Sequence, residues 1–176
     1  MRTALGRILV VACAVALASG CGADDADDGP TGSALFDPCT DIKNGTFRKA
    51  GFDPATKTHP APDTFPQRCA VDRTGGGGLV LEHVMNIGPN SAYERALGYA
   101  RSDVNGHPTT TTINGREAFT TPQSLAVLDK TIPMGCDAYL RTKLGTLRIG
   151  MATDAATCKG VLEAATVLEP SLGRDR

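Results

Sequence analysis

Residues 109–121 read TTTTINGREAFTT and carry the strongest short-range folding signal in this chain. Asn114-Gly115 lies between two runs, Thr109 to Ile113 and Arg116 to Thr121, in which β-branched residues are frequent. Asn-Gly is a preferred pair for a two-residue hairpin turn, because both central residues of that turn need a positive φ. The stretch therefore predicts a β-hairpin, and two strands joined by so tight a turn pair antiparallel.

Two further hairpins are predicted on either side of this one. Their paired segments are Arg68 to Arg73 with Leu79 to Ile87, around four glycines (75–78), and Asp137 to Lys143 with Thr146 to Met151, around Leu144-Gly145. In the run 79–87 both alternating sets of residues include apolar side chains, which favours a central strand over an edge strand. The three hairpins predict an antiparallel sheet of about five to six strands.

The first helical segment follows Asp37-Pro38, which is typical of an N-cap with proline at the first helical position. Asn44-Gly45 interrupts this segment, so we expect two short helices, and Gly51 is placed to end the second one.

Two more helices complete the predicted fold. Ser91 and Glu94 form a capping box at the start of a helix that reaches about Arg101. Asp154 is expected to cap a final helix. The residues of that helix at core spacing are Cys158, Val161, Leu162, Ala165 and Leu168. The fold class is therefore α+β, with N-terminal, middle and C-terminal helices packed on the antiparallel sheet.

Residues 1–20 have the layout of a secretory signal peptide. Arg2 and Arg7 make the start cationic, the run Ile8 to Ala18 is apolar, and Ser19-Gly20 supply small residues at the cut. A transmembrane helix is one alternative, but it needs about 20 apolar residues, more than this run supplies. A buried N-terminal core helix is the other alternative.

The segment Leu17-Ala18-Ser19-Gly20-Cys21 resembles a bacterial lipobox. The resemblance implies transfer of diacylglycerol to the Cys21 thiol, cleavage after Gly20, and acylation of the new N-terminus by a fatty acid such as palmitate. Ala18 is a departure, since leucine is usual three residues before the cysteine. Several acyl chains would anchor the protein stably in a membrane. The alternative is ordinary secretion with Cys21 as a free or paired thiol.

After Cys21 the chain is predicted to form an acidic, flexible tether, so residues 21–34 comprise the lipidated cysteine and this spacer. The tether contains four aspartates and no large apolar side chain, and it cannot bury enough surface to offset the entropy of ordering it. The folded domain is expected at 35–172. The predicted location is the extracytoplasmic face of the cell membrane.

The composition limits the classes of partner. The chain has 176 residues, of which 41% are hydrophobic, and its 18 Lys and Arg against 19 Asp and Glu give a net charge of −1. Such a chain is the size of one domain and too apolar to be wholly disordered. The balanced charge argues against a nucleic-acid partner, since nucleic-acid binding generally needs a basic field.

Removing the signal peptide takes away Cys13, and lipidation takes Cys21, which leaves an even number of cysteines for an oxidising compartment. The four that remain are Cys39, Cys69, Cys136 and Cys158. A zinc site is not favoured, because the sequence contains no Cys-x-x-Cys pair. We expect two disulfides and no metal or other cofactor.

Several of these features occur together in one family. They are the lipobox, Leu35-Phe36-Asp37-Pro38-Cys39, Ala50-Gly51-Phe52, Cys69-Ala70-Val71, Asn114-Gly115-Arg116-Glu117-Ala118, Cys136 and Cys158. From about Leu35 to Leu172 the chain resembles the actinobacterial lipoproteins grouped as domain of unknown function 3558. Val71 departs from the pattern, because members often have tryptophan there. The resemblance implies a cellular location and a fold, and it implies no reaction.

Four cysteines allow three connectivities, and the sequence alone does not choose among them. The preferred pairs are the sequential ones, Cys39 with Cys69 and Cys136 with Cys158, which would fasten the first and last helices to neighbouring strands.

The sequence offers little for catalysis. Its three histidines, His59, His83 and His107, are not at helical spacing to one another, and no metalloprotease motif or serine elbow occurs. His83 alternates with apolar residues in a predicted strand, where a core histidine is the ordinary interpretation. The sequence therefore predicts a protein that is not an enzyme.

Three functions remain as hypotheses. The leading one is a lipid-anchored, non-enzymatic module that binds an envelope protein or a small envelope ligand. The alternative is a carrier or sensor of a small apolar ligand, held in a pocket between sheet and helices. The third is an envelope hydrolase that uses His83 or His107 with Asp103.

Overall fold

The computed structural model describes residues 36–60, 67–88, 91–103, 107–128, 130–152 and 157–173. The predicted signal peptide at 1–20, the lipidation of Cys21 and the tether up to residue 34 lie outside the described residues. Within these ranges, no helix combines the length and the apolar character needed to cross a membrane.

Six strands form one antiparallel sheet. They are β1 Gln67–Asp72, β2 Gly78–Met85, β3 Thr109–Ile113, β4 Arg116–Val127, β5 Lys130–Arg141 and β6 Gly145–Met151. Their order across the sheet is β1-β2-β6-β5-β4-β3, and every neighbouring pair is antiparallel. The α+β prediction is confirmed, and β2 is a central strand, as its two apolar faces predicted.

In the described ranges, four α-helices and two short 3-10 helices accompany the sheet. They are α1 Pro38–Asp41, α2 Asn44–Lys49, α3 Ala92–Ser102 and α4 Lys159–Leu168, with 3-10 turns at Pro54–Thr56 and Glu169–Leu172. The predicted caps of α1 and α3 are present: Asp37 Oδ1 accepts from Cys39 N at 2.9 Å, and Ser91 Oγ accepts from Glu94 N at 3.1 Å.

Two helix boundaries differ from the prediction. The break between α1 and α2 falls at Ile42 and Lys43, both extended, and Asn44 begins the second helix instead of interrupting it. The last helix begins after Cys158, which occupies the N-cap position, and not after Asp154. Asp154 itself lies outside the described residues.

The main core lies between one face of the sheet and the helices α1, α2 and α4. Because side chains alternate across a strand, one set of residues from each strand faces this layer. Its fully buried members include Cys69, Leu81, Leu140, Leu147 and Ile149 from the sheet, Phe47 from α2, and Val161 and Leu168 from α4.

Helix α3 covers part of the opposite face. There Tyr93 and Leu97 pack against Phe119, whose ring stacks on Tyr139 at a centroid distance of 4.5 Å. Phe119 and Tyr139 are directly opposite each other in the register of β4 and β5, and they alternate with residues of the main core. Helices therefore pack on both faces of the sheet, α3 on one and the other three on the other.

Two disulfides fasten the main-core helices to the sheet. Cys39 in α1 is bonded to Cys69 in β1, and Cys136 in β5 is bonded to Cys158 at the start of α4. These are the sequential pairs preferred from the sequence. They close loops with sequence separations of 30 and 22 residues, a size for which the chain-entropy estimate is about 3 to 4 kcal/mol each.

The prediction was wrong about the lengths of β4 and β5. The sequence predicted strands that end at Thr121 and begin again at Asp137, whereas β4 continues to Val127 and β5 starts at Lys130. The intervening residues form a two-stranded extension of the sheet. Pro122, Pro133 and Gly135 concealed it, because proline and glycine within a run argue against a strand.

Candidate functional site

The extension of β4 and β5, here called the ribbon, consists of Thr121–Val127, Leu128 and Lys130–Gly135. Strand β3 pairs with β4 only as far as Thr120, and β6 pairs with β5 only from Cys136 onward. Among the described residues, each strand of the ribbon therefore has a β-partner on one side only, which is the other strand of the ribbon. The ribbon thus extends from the sheet with two edges that no described strand covers.

Exposed apolar side chains are concentrated on the ribbon. Across the described residues, nine large hydrophobic side chains are exposed, and five of them belong to the ribbon: Leu125, Val127, Leu128, Ile132 and Met134. Leu125 and Ile132 are directly opposite each other in the register, so their side chains share a face. Single exposed hydrophobics are ordinary on a protein surface, but a cluster of them marks an interaction site.

Leu128 is the most exposed of the five and has an unusual backbone. It is 98% exposed and has a φ of 54° at the turn between the two strands. Only glycine, and to a lesser degree asparagine and aspartate, adopt this left-handed region readily; for other residues it costs about 1–2 kcal/mol. Leu128 therefore gains no stability from burial of its side chain, and its backbone preference disfavours the turn conformation.

The base of the ribbon is firmly held. Gly135 has a φ of 148°, and a Cβ added there would lie 2.1 Å from the carbonyl oxygen of Met151. Only glycine can therefore pass this close to the end of β6. The next residue, Cys136, is fixed to α4 by its disulfide.

Each edge of the ribbon contains a proline. Pro122 lies in β4 and Pro133 in β5, and neither has a backbone N–H to offer to another strand. Prolines at sheet edges protect proteins against pairing with further strands. The ribbon is therefore suited to contact through side chains and poorly suited to strand addition.

A row of ion pairs lies on the α3 face of the sheet. The Arg148 guanidinium donates to Asp137 Oδ2 at 2.8 Å and to Glu82 Oε2 at 3.2 Å, and Arg68 donates to Glu82 Oε1 at 3.3 Å. Burial raises the pKa of the Asp137 carboxyl, and Arg148 opposes this shift. Burial acts to lower the pKa of Arg148, but the charge and hydrogen bond of Asp137, together with the charges of Tyr139 and Glu82, outweigh it and raise that pKa.

This row is a closed structural network. Asp137 is 3% exposed, and Tyr139 donates to the same carboxylate oxygen at 3.4 Å. Burial and the Asp137 charge together raise the pKa of Tyr139 to about 12. With its carboxylate bonded on two sides and out of contact with solvent, Asp137 holds the strands in register and offers no reactive group.

A cavity of about 440 Å³ beside the Asn114–Gly115 turn also has a structural explanation. Arg116 donates to Glu169 Oε1 at 2.7 Å and to the carbonyls of Arg141 and Gly173. Asn114 donates to the carbonyl of Thr166 at 2.9 Å. These bonds hold the C-terminal 3-10 helix against the hairpin of β3 and β4.

A second cavity, of about 600 Å³, opens between the end of α2 and the β1–β2 turn. It is here called the arginine groove, and its lining is Arg48, Gly51, Phe52, Asp53, Pro54, Arg73 and Thr74. The Arg73 guanidinium lies over the Phe52 ring, 5.2 Å from the centroid. No sequence pattern predicted this groove, because its residues come from separate parts of the chain.

The histidines differ in their surroundings. His83 is 3% exposed, its ring lies edge-on to Phe36, and its Nε2 is 3.4 Å from Thr142 Oγ1. Burial lowers the pKa of His83, so it is a neutral core residue, as the sequence favoured. His107 is exposed.

One cluster has metal-ligand residue types. Atoms of Asp37, Cys39 and His59 lie within 4.8 Å of one another. The Cys39 sulfur is bonded to Cys69 and is therefore not a thiolate. His59 Nε2 is 3.1 Å from Asp37 Oδ2, which explains the proximity of the other two side chains.

Comparison with family models, curated proteins and solved structures gives no match for this chain. The resemblance to the actinobacterial lipoproteins therefore remains a prediction from the motifs. Any functional conclusion depends on the residues of this chain.

Proposed function

We propose that the chain is a lipid-anchored protein on the extracytoplasmic face of the cell membrane, of the actinobacterial lipoprotein type, and that its domain is a non-enzymatic interaction module. The lipobox at Cys21, the acidic tether and the four paired cysteines support this proposal. The ribbon is the part of the domain that makes the contact.

The observation that carries the proposal is Leu128. A side chain that is 98% exposed on a left-handed backbone opposes folding and gains no burial within the domain. Strained residues with no structural benefit cluster at functional sites. Leu128 therefore serves a contact outside the domain, and Leu125 and Ile132 extend the same apolar surface.

The partner is a protein with an apolar pocket. A bilayer is unsuitable, because the open edges of the ribbon carry backbone polar groups that hydrocarbon cannot satisfy. Strand addition by a second copy of the chain is opposed by Pro122 and Pro133. A pocket that receives Leu128 and contacts its neighbours leaves the backbone edges in water.

The carrier hypothesis needs an apolar cavity between the sheet and the helices of the main core. No contact among the described residues favours that hypothesis over the interaction module. An apolar ligand that copurifies with the protein and slows amide hydrogen exchange at Leu81 and Ile149 would favour it.

Photocrosslinking in intact cells tests the contact. A photoreactive amino acid at position 128 should give a discrete crosslinked species with an envelope protein, whereas the same amino acid at Ile87, which is 77% exposed, should not. Adding Leu125→Asp and Ile132→Asp to the position 128 variant should abolish the species. Crosslinks to lipid, a species with the mass of a dimer, or equal yields at both positions would overturn the assignment.

The anchor is tested separately. Cys21→Ser should abolish incorporation of labelled fatty acid and release the protein from the membrane fraction or leave it unprocessed. Unchanged acylation of the Cys21→Ser chain would contradict the anchor and would not affect the result for Leu128.

A further inference from the structure

We propose that the arginine groove binds a phosphate group of a ligand that is still to be identified. The groove is lined by two arginines from separate parts of the chain, Arg48 at the end of α2 and Arg73 at the start of the β1–β2 turn. Both are exposed. Within the described residues, neither has a carboxylate at ion-pair distance.

The absence of partners distinguishes these two arginines from most others. Five described arginines are engaged by carboxylates or carbonyls: Arg68, Arg95, Arg116, Arg141 and Arg148. The domain thus provides polar partners for most of its described arginines, whereas Arg48 and Arg73, beside one cavity, have no carboxylate of the described residues at ion-pair distance. An anionic ligand can supply the counter-charge there.

The groove orders one of its two cations in advance. Arg73 lies on the Phe52 ring, and Phe52 is only 2% exposed, so the ring is a fixed support. A planar guanidinium stacked on an aromatic ring loses less freedom when it binds an oxyanion. Thr74 adds a hydroxyl to the lining, and glycines 75–77 leave the adjacent space open.

One carboxylate also lines the groove. Asp53 Oδ1 accepts from Ala55 N at 3.0 Å and so caps the 3-10 helix Pro54–Thr56. The lining therefore holds two positive charges and one negative charge, a balance that favours an anion and weakens its binding. Replacing Asp53 by asparagine keeps a capping oxygen and removes the opposing charge.

The chemistry of the guanidinium indicates the ligand class. Its planar array of donors matches phosphate oxygens in pairs, and two such groups around one cavity can neutralise a dianion. The volume of about 600 Å³ exceeds the needs of a free ion and leaves room for the molecule that carries the phosphate. That phosphate can belong to a soluble phosphomonoester or to a lipid headgroup.

Calorimetric titration of the intact protein with glycerol phosphate, in micelles of an uncharged detergent, tests the site. We expect saturable binding that weakens about tenfold in each of Arg48→Gln and Arg73→Gln. Arg101→Gln is the matched control, because Arg101 is also exposed and, in the described ranges, also lacks a carboxylate at ion-pair distance. Asp53→Asn should tighten binding.

A vesicle sedimentation experiment distinguishes the two sources of phosphate. The Cys21→Ser chain is mixed with vesicles of phosphatidylcholine, with and without phosphatidylglycerol, and sedimented. Sedimentation only with phosphatidylglycerol, reduced by Arg48→Gln, assigns the phosphate to a headgroup; binding of glycerol phosphate alone assigns it to a soluble ligand. Failure of both probes to bind, or equal weakening by Arg101→Gln, would overturn the proposal. None of these readouts depends on Leu128.

Discussion

The turn between β3 and β4 and the turn between β4 and β5 share a strand but contrast in their chemistry. Asn114 and Gly115 both have positive φ, 50° and 85°, in a turn whose residue types favour that conformation. Leu128 has nearly the same φ, 54°, with a residue type that opposes it. The first turn is bonded to the C-terminal part of the domain through Asn114, and the second projects with its leucine exposed.

The contrast teaches where this chain is constrained by folding and where by function. At the first turn the local preference, the side-chain bonds and the buried Ile113 all support one structure. At the second turn the local preference is against the structure, and the strands around it expose apolar residues. A local rule that is broken without a benefit to packing is a sign of selection for something else.

The largest effect is expected beside the first turn. Arg116→Ala should lower the free energy of unfolding by about 3 kcal/mol, because it leaves the largely buried Glu169 carboxylate without its cation and with only the bond from Asn114 at 3.2 Å. Urea denaturation measures the change. Adding Glu169→Gln to Arg116→Ala should recover part of the loss; a cost below about 1 kcal/mol would mean that the first hairpin is not held by this pair.

The disulfide at the base of the ribbon comes next. Cys136→Ser with Cys158→Ser should lower the free energy of unfolding by about 3 kcal/mol, since the loop closed has a separation of 22 residues. The same denaturation experiment applies. Reductant should destabilise the double variant less than the wild type, and equal sensitivity would argue against this bond as a source of stability.

A smaller loss is expected from Asn114→Ala. The substitution leaves a residue without asparagine's tolerance of positive φ and removes the bonds to the Thr166 carbonyl and to Glu169 Oε2, at a combined cost of about 2 kcal/mol. Asn114→Gly is the matched control, because it removes the bonds but relieves the backbone. If both variants lost the same stability, the backbone preference would not matter at this turn.

The smallest effect has the opposite sign. Leu128→Gly should raise the free energy of unfolding by about 1 kcal/mol, because it relieves the left-handed leucine without removing a buried group. Leu128→Ala keeps the strain and should be close to neutral. A loss of stability in Leu128→Gly, measured by thermal unfolding, would contradict the view that this leucine opposes folding.

Much of the fold follows from local signals. Asn114-Gly115 and the Ser91 capping box act within a few residues, so their elements were predicted correctly. The position of β6 between β2 and β5 depends on the pairing of β2 with β6, which are far apart in the chain. Turn residues cannot predict this pairing, because no short turn joins the two strands. The last helix was placed too early because Asp154 is a better cap by type than Cys158.

The sites were harder to predict than the fold. The ribbon was missed because Pro122, Pro133 and Gly135 are residue types that usually interrupt a strand. Large apolar residues do recur at strand spacing, two positions apart, at Leu125 and Val127 before the turn and at Ile132 and Met134 after it. The arginine groove unites Arg48 and Arg73 only through tertiary packing. The involvement of the four cysteines in disulfides was predictable, since their number and order can be read directly from the sequence.

The first disulfide has a mechanical consequence. Cys39 lies three residues after Phe36, the first residue described, and its bond leads directly into β1. Tension applied to the N-terminal side of the domain passes through this bond into the sheet. Phe47 and the groove residues Arg48 and Phe52 lie in the part of the chain that this disulfide closes off, so the load bypasses them. A domain pulled from its N-terminal side would therefore transmit the load to the sheet edge while these residues stayed unloaded.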